Sequence, residues 1–129
     1  MRGFHLSFGT IGMLFFLATG QYMARVAGVP ELDDAQRLLY RSGHLYILLP
    51  FVTCVIMGAY MPRDQRATVF QWLISGLLVL ASLLISIGFF TESTGTSIDR
   101  DLTRLGLIVM FIIPSLLVSK ELLTLLRRH

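Results

Sequence analysis

The stretch ATVFQWLISGLLVLASLLISIGFF, Ala67–Phe90, has no Asp, Glu, Lys, Arg or His. A helix of that length rises about 36 Å, enough to cross the roughly 30 Å hydrocarbon layer of a bilayer. A helix on the surface of a soluble domain would carry a charged face, and this one has none. The segment therefore reads as a membrane span. Three further stretches, Leu6–Ala24, Leu45–Pro62 and Leu102–Ser119, share its character. With 54% of 129 residues hydrophobic and 15% charged, the spans take up most of the chain and leave no room for a soluble domain. The expected fold is all-α, a single transmembrane domain over residues 1–129, an integral membrane four-helix bundle.

The first span imitates a secretory signal, with Arg2 before an apolar run and small residues at Ala18-Thr19-Gly20. Its length is sufficient to cross, so it reads as a retained helix. An even number of spans places both termini and the 63–66 loop on one side. That side carries Arg2, Arg63, Arg66, Lys120, Arg127 and Arg128, against Arg25, Arg37, Arg41, Arg100 and Arg104 on the other. The excess of Lys and Arg, six against five, points both termini to the cytoplasm. Cys54 stands alone mid-span, so neither an intramolecular disulfide nor a cysteine metal site follows. No basic stripe with interleaved aromatics suggests nucleic acid.

Between the first two spans lies a segment that is more than a linker. Pro30, Asp33 and Asp34 read as a helix start, Ala35–Tyr40 as helix formers, and Leu32, Leu38 and Leu39 as an apolar side. A short interfacial helix between spans 1 and 2 is expected there, jointed to the second span at Gly43. Pro50 and Pro114 are expected to bend their spans, with Thr53 and Ser115 placed to satisfy freed carbonyls. Gly9 and Gly12, on one stripe with His5 and Phe16, favour close helix packing. So do the pairs Cys54/Gly58, Ser82/Ser86 and Ser115/Ser119, each four residues apart. Ser97 or Asp99 is expected to cap the fourth span, which continues past Lys120 along the interface.

The second span and its flank, RSGHLYILLPFVTCVIMGAYMPR at Arg41–Arg63, echo RGFHLSFGTIGMLFFLATGQYMAR at Arg2–Arg25. Both begin R-x-x-H-L and end G-x-Y-M-x-R, pairing His5 with His44 and Gly20 with Gly58. Consecutive spans run in opposite directions, so the echo has the form of an inverted repeat.

Candidate chemistry gathers at the ends of the spans, since no charged side chain lies in their middles. Gln71 is the most polar group inside a span. In an up-and-down bundle Tyr22 and Arg25 end span one where Arg41 and His44 begin span two. Glu92 ends span three, and Asp101 and Arg104 begin span four, at the same level. Arg37, Arg41 and His44 share a face by i, i+4, i+7 spacing, with Tyr40 beside them. Cations at the start of a helix oppose its dipole, so Glu92, then Asp101, is the expected partner of Arg41 and His44.

The motif Arg41-Ser42-Gly43-His44-Leu45-Tyr46, preceded by Gly20-Gln21-Tyr22-Met23, resembles small four-span proteins of the bacterial inner membrane. The likeness covers most of the chain and carries no function with it. The R-x-x-H element alone resembles membrane anchors of quinone-linked dehydrogenases, which implies haem b or quinone near His44. A b-type haem takes two axial ligands at one depth, whereas His5 and His44 start consecutive spans on opposite membrane faces.

The expected function is therefore non-enzymatic: a small accessory, assembly or stabilising subunit in a bacterial cytoplasmic (inner) membrane, self-associating or bound to a larger membrane complex. Alternatives are a redox anchor with His44 and Arg41 as the cofactor-binding pair, an anionic-lipid or small-anion binding module at those residues, or an uncoupled channel. No metal site is expected.

Overall fold

The computed structural model describes residues 1–61, 68–92 and 99–127. Within them the regular structure is helical throughout. Helix α1 covers Arg2–Arg25, a 3-10 turn Val29–Glu31, α2 Asp34–Tyr60, α3 Val69–Glu92 and α4 Asp101–Leu126. All four α-helices are long and apolar enough to cross a membrane, the architecture of a multi-pass membrane protein. Ser97, the loop arginines Arg63 and Arg66, and Arg128 lie outside the described residues.

The expected start of the α2 segment holds, but the joint does not. Asp33 Oδ1 accepts from Gln36 N at 2.7 Å, and Asp34 adds negative charge at the positive end of the helix. From there α2 runs 27 residues without interruption, and Gly43 lies buried inside it. A separate helix turning at Gly43 is replaced by one helix about 40 Å long. The chain reaches this start through Gly28, whose φ of 58° suits a residue without a side chain, and the 3-10 turn with Pro30.

The helices form two antiparallel hairpins, α1–α2 and α3–α4, joined chiefly where α2 meets α3. In the first hairpin the sequence echo becomes a packing rule. A methyl on Gly58 would lie 2.8 Å from Leu6 Cγ, and one on Gly20 would lie 3.4 Å from the His44 ring. The glycine of each copy thus receives the H-L element of the other, an approximate twofold arrangement. Between these contacts a side chain on Gly12 would overlap the Phe51 ring. Buried Ile47, Cys54, Ile74, Leu78, Ile85, Phe89 and Ile113 fill the space among the helices.

Three details correct the sequence reading. Thr53 Oγ1 donates to Leu49 O at 2.8 Å and Ser115 Oγ to Phe111 O at 2.9 Å. Those carbonyls are not the ones deprived of donors by Pro50 and Pro114, which lie four residues before each proline. Ser115 and Ser119 are exposed, so their spacing closes no contact inside the bundle. Gln71 is an ordinary helix-start residue: its Oε1 accepts from Thr68 N at 2.9 Å, and Thr68 Oγ1 accepts from Gln71 N at 3.3 Å. This reciprocal capping box starts α3. At the far end of α4, Lys120 Nζ sits 4.8 Å from the centre of the Phe70 ring, the reach expected of a snorkelling lysine.

Candidate functional site

The end of the bundle away from the chain termini gathers most of the expected polar residues, and the structure divides them into three separate assemblies. The first is built on Glu92. Arg100, at the N-cap of α4, offers no side-chain cap, so the first N–H groups of α4 need an acceptor from elsewhere. Glu92 supplies it: Oε1 accepts from Leu102 N at 2.6 Å, while Oε2 accepts from Thr103 N at 3.1 Å and Thr103 Oγ1 at 2.6 Å. The carboxylate also sits at the positive end of the α4 dipole. Gly88, one turn earlier in α3, leaves room for it: a methyl there would lie 2.8 Å from Glu92 Oε2.

Glu92 is therefore not the partner of Arg41 and His44. Nor is Asp101, which is exposed at the start of α4 together with Arg104. Nor does the helix dipole call for such a partner, because α2 begins at Asp34 and Arg41 and His44 sit two to three turns inside it.

The second assembly surrounds His44. Its ring turns into the α1–α2 contact and stacks on Phe16, with centroids 4.0 Å apart and planes 10° apart. His44 Nδ1 lies 3.1 Å from Thr19 Oγ1, which itself donates to Phe16 O at 2.8 Å. With the only hydroxyl hydrogen committed to that carbonyl, Thr19 accepts, which assigns the imidazole hydrogen to Nδ1. Tyr40, one turn earlier, is buried edge-on against Phe89, and Tyr22 meets Phe90 in the same manner. These are packing contacts of aromatic rings between helices.

The third assembly holds the arginines. Arg37 Nη2 donates to Leu32 O at 2.9 Å and Nη1 lies 3.6 Å from Asp34 Oδ1, which ties the 26–33 connection to α2. Arg41 is exposed and makes no hydrogen bond or ion pair among the described residues. Arg25 is exposed at the last position of α1. Arg37 and Arg41, with Gly20, Met23, Ala24 and Val29, line a cleft of about 280 Å³.

Two residues outside the expected polar cluster carry links between the hairpins. Arg100 reaches from the start of α4 to α2, donating through Nη1 to Ser42 Oγ at 2.9 Å and through Nη2 to Leu39 O. At the opposite end of the bundle His5 is wholly buried, its Nε2 2.9 Å from Ser75 Oγ, which donates to Gln71 O at 2.8 Å. The chemistry repeats that of His44 with α3 in place of α1: an imidazole N–H donates to a hydroxyl already committed to a helix carbonyl.

The two histidines do not fit one haem. Thr19 marks the depth of His44 on α1, and the fourteen residues from His5 to Thr19 correspond to about 21 Å along the helix. Each ring also has one nitrogen taken by a hydroxyl of a neighbouring helix. Among the described residues no group of three or more His, Cys, Asp or Glu side chains converges on a metal position. A second hollow, of about 260 Å³, opens between α2 and α4 beside Leu49, Met57, Met110 and Pro114, and is almost wholly apolar. No family model matches the chain, and no curated protein or solved structure matches it.

Proposed function

We propose that the protein is a non-enzymatic accessory subunit of a membrane complex, one that assembles side by side with another helix through the outward face of α1. The observation that carries this reading is a seam on that face. Gly3, Ser7, Thr10, Leu14, Leu17 and Gln21 are all exposed and alternate at spacings of four and three residues. That is the spacing of a left-handed helix pair, and small and polar residues are the ones that bring helices together in lipid. Four hydroxyls of the other helices make the contrast. Thr53, Ser82, Ser115 and Ser119 donate to the carbonyl four residues earlier, whereas Ser7, Thr10 and Gln21 make no side-chain hydrogen bond among the described residues. A polar group facing hydrocarbon without a partner is costly.

Hydroxyl and amide groups both donate and accept, so the seam complements itself, and a second copy of the chain is the first partner it fits. A bacterial cytoplasmic membrane with both termini inside agrees with the balance of Lys and Arg between the two sides. In that setting the first turns of α2, with exposed Leu38, emerge among the headgroups and serve as the interfacial segment.

Cysteine cross-linking in native membranes tests the reading. In a Cys54→Ala background, Thr10→Cys and Leu14→Cys should cross-link, to a second copy or to a larger subunit, while Leu83→Cys on the exposed face of α3 should not. Equal adducts at all three positions, or none at the seam, would overturn it.

A further inference from the structure

We propose that the cleft between the end of α1 and the start of α2 binds a phosphate group carried on a lipid, with Arg41 and Arg37 as its cationic ligands. The inference rests on Arg37 and Arg41 of α2 and not on the α1 seam, although Ala24 of the cleft falls at the next position along that seam. Arg37 and Arg41 are one helical turn apart, so their guanidinium groups project from one side of α2 toward the same cleft. Arg41 has no partner among the described residues. Arg37 directs Nη2 to Leu32 O, lies at a long 3.6 Å from Asp34, and keeps a buried Nε without an acceptor.

Of the nearby acids only Asp34 pairs with one of these cations, Arg37, at 3.6 Å and from a fully exposed side chain; the others are engaged elsewhere. Glu92 holds the start of α4 and Asp33 caps α2. Glu31, on the 3-10 turn, is exposed and does not line the cleft. The floor is apolar, formed by Met23, Ala24 and Val29, with Met23 and Val29 buried. A cationic rim over an apolar floor at the membrane edge suits an amphiphile rather than a bare anion. Two guanidinium forks match the non-bridging oxygens of a phosphodiester, and the floor receives the glycerol and first methylenes. An anionic phospholipid enters such a cleft sideways from the bilayer. Inorganic phosphate offers the same oxygens without the apolar part.

Intact protein in nanodiscs of phosphatidylcholine with a minor fraction of phosphatidylglycerol permits a direct test by native mass spectrometry. Retained anionic lipid should fall about tenfold for Arg41→Gln. It should fall by a comparable factor for Ala24→Phe, which fills the floor and keeps both charges, and change less than twofold for Arg104→Gln, an exposed arginine at the same end. Circular dichroism of each variant identifies any that fails to fold; Arg41→Lys then replaces Arg41→Gln and should lose part of the binding. Equal losses for Arg41→Gln and Arg104→Gln, or full retention in Ala24→Phe, would reduce the effect to bulk surface charge and overturn the site. The same variants in pure phosphatidylcholine discs, with inorganic phosphate followed by ³¹P NMR, separate the two sources. Binding of phosphate but not lipid, dependent on Arg41, would overturn the lipid assignment.

Discussion

The two ends of the bundle solve one problem, joining two hairpins in a medium where burial of apolar surface gives little, in different ways. At the end bearing the chain termini one buried hydrogen-bonded contact among the described residues, His5 to Ser75, crosses from α1 to α3. At the other end the links are several: Arg100 reaches from α4 to α2, and the Phe89 and Phe90 rings meet Tyr40 and Tyr22. His44, the counterpart of His5 in the echo, makes its hydrogen bond inside one hairpin, and meets the other only through the Phe89 ring, 6.4 Å away between centroids. One motif has thus been put to two uses, and the difference lies in what faces each ring. A concentrated link should be more fragile than a distributed one.

The sharpest way to break that contrast is His5→Ala. It removes a fully buried ring together with its hydrogen bond and should destabilise the fold by about 3 kcal/mol. Reversible unfolding in mixed micelles measures it. Ser75→Ala added to His5→Ala should cost little more than His5→Ala alone, because Ser75 keeps no partner outside its own helix in that background. A full additive loss would show that the two side chains act separately. Next in size comes Glu92→Ala, which strips three hydrogen bonds from the start of α4, where the N-cap residue Arg100 gives no side-chain cap. About 2 kcal/mol is expected, with faster amide exchange confined to the first turn of α4. Glu92→Gln should recover part of the loss, since it restores an acceptor and not the charge.

His44→Ala should cost less, about 1.5 kcal/mol, because its ring is partly exposed and its hydrogen bond stays within one hairpin. His44→Phe keeps the stack on Phe16 and isolates the Thr19 bond, for which about 0.6 kcal/mol is the ordinary value in membrane helices. If His44→Ala proved as damaging as His5→Ala, the distinction between the ends would fall.

How much of this was legible depends on distance along the chain. The spans were visible because each needs only its own composition, and the Asp33 cap because its bond closes within three residues. The shared face of Arg37 and Arg41 follows from helical spacing alone. The partners of the histidines were hidden, since Ser75 and Thr19 lie 70 and 25 residues away and hydroxyls are common in every span. Charge alone pairs Glu92 with an arginine, whereas the cap that Arg100 does not supply is what its carboxylate meets. The joint at Gly43 failed for a related reason: glycine in a tightly packed membrane helix marks a close neighbour as often as a break.

Thr68 and Gln71 allow the smallest test, and it bears on whether local or tertiary contacts hold the end of the bundle near the termini. Thr-x-x-Gln before an apolar run is the pattern of a capping box, and the structure realises it. Its two bonds stay within α3 and touch neither hairpin partner. Gln71→Ala should therefore cost about 0.5 kcal/mol and loosen only the first turn of α3. Yet Gln71 O is also the carbonyl that fixes the Ser75 hydroxyl and so orients the acceptor for His5. That link runs through the backbone, which the substitution retains. If Gln71→Ala weakened the bundle as much as Ser75→Ala, the capping box would be setting the position of the His5 contact, and the two would form one unit. If amide exchange rises only at the start of α3 while the unfolding midpoint stays within error, the buried histidine holds this end without its help.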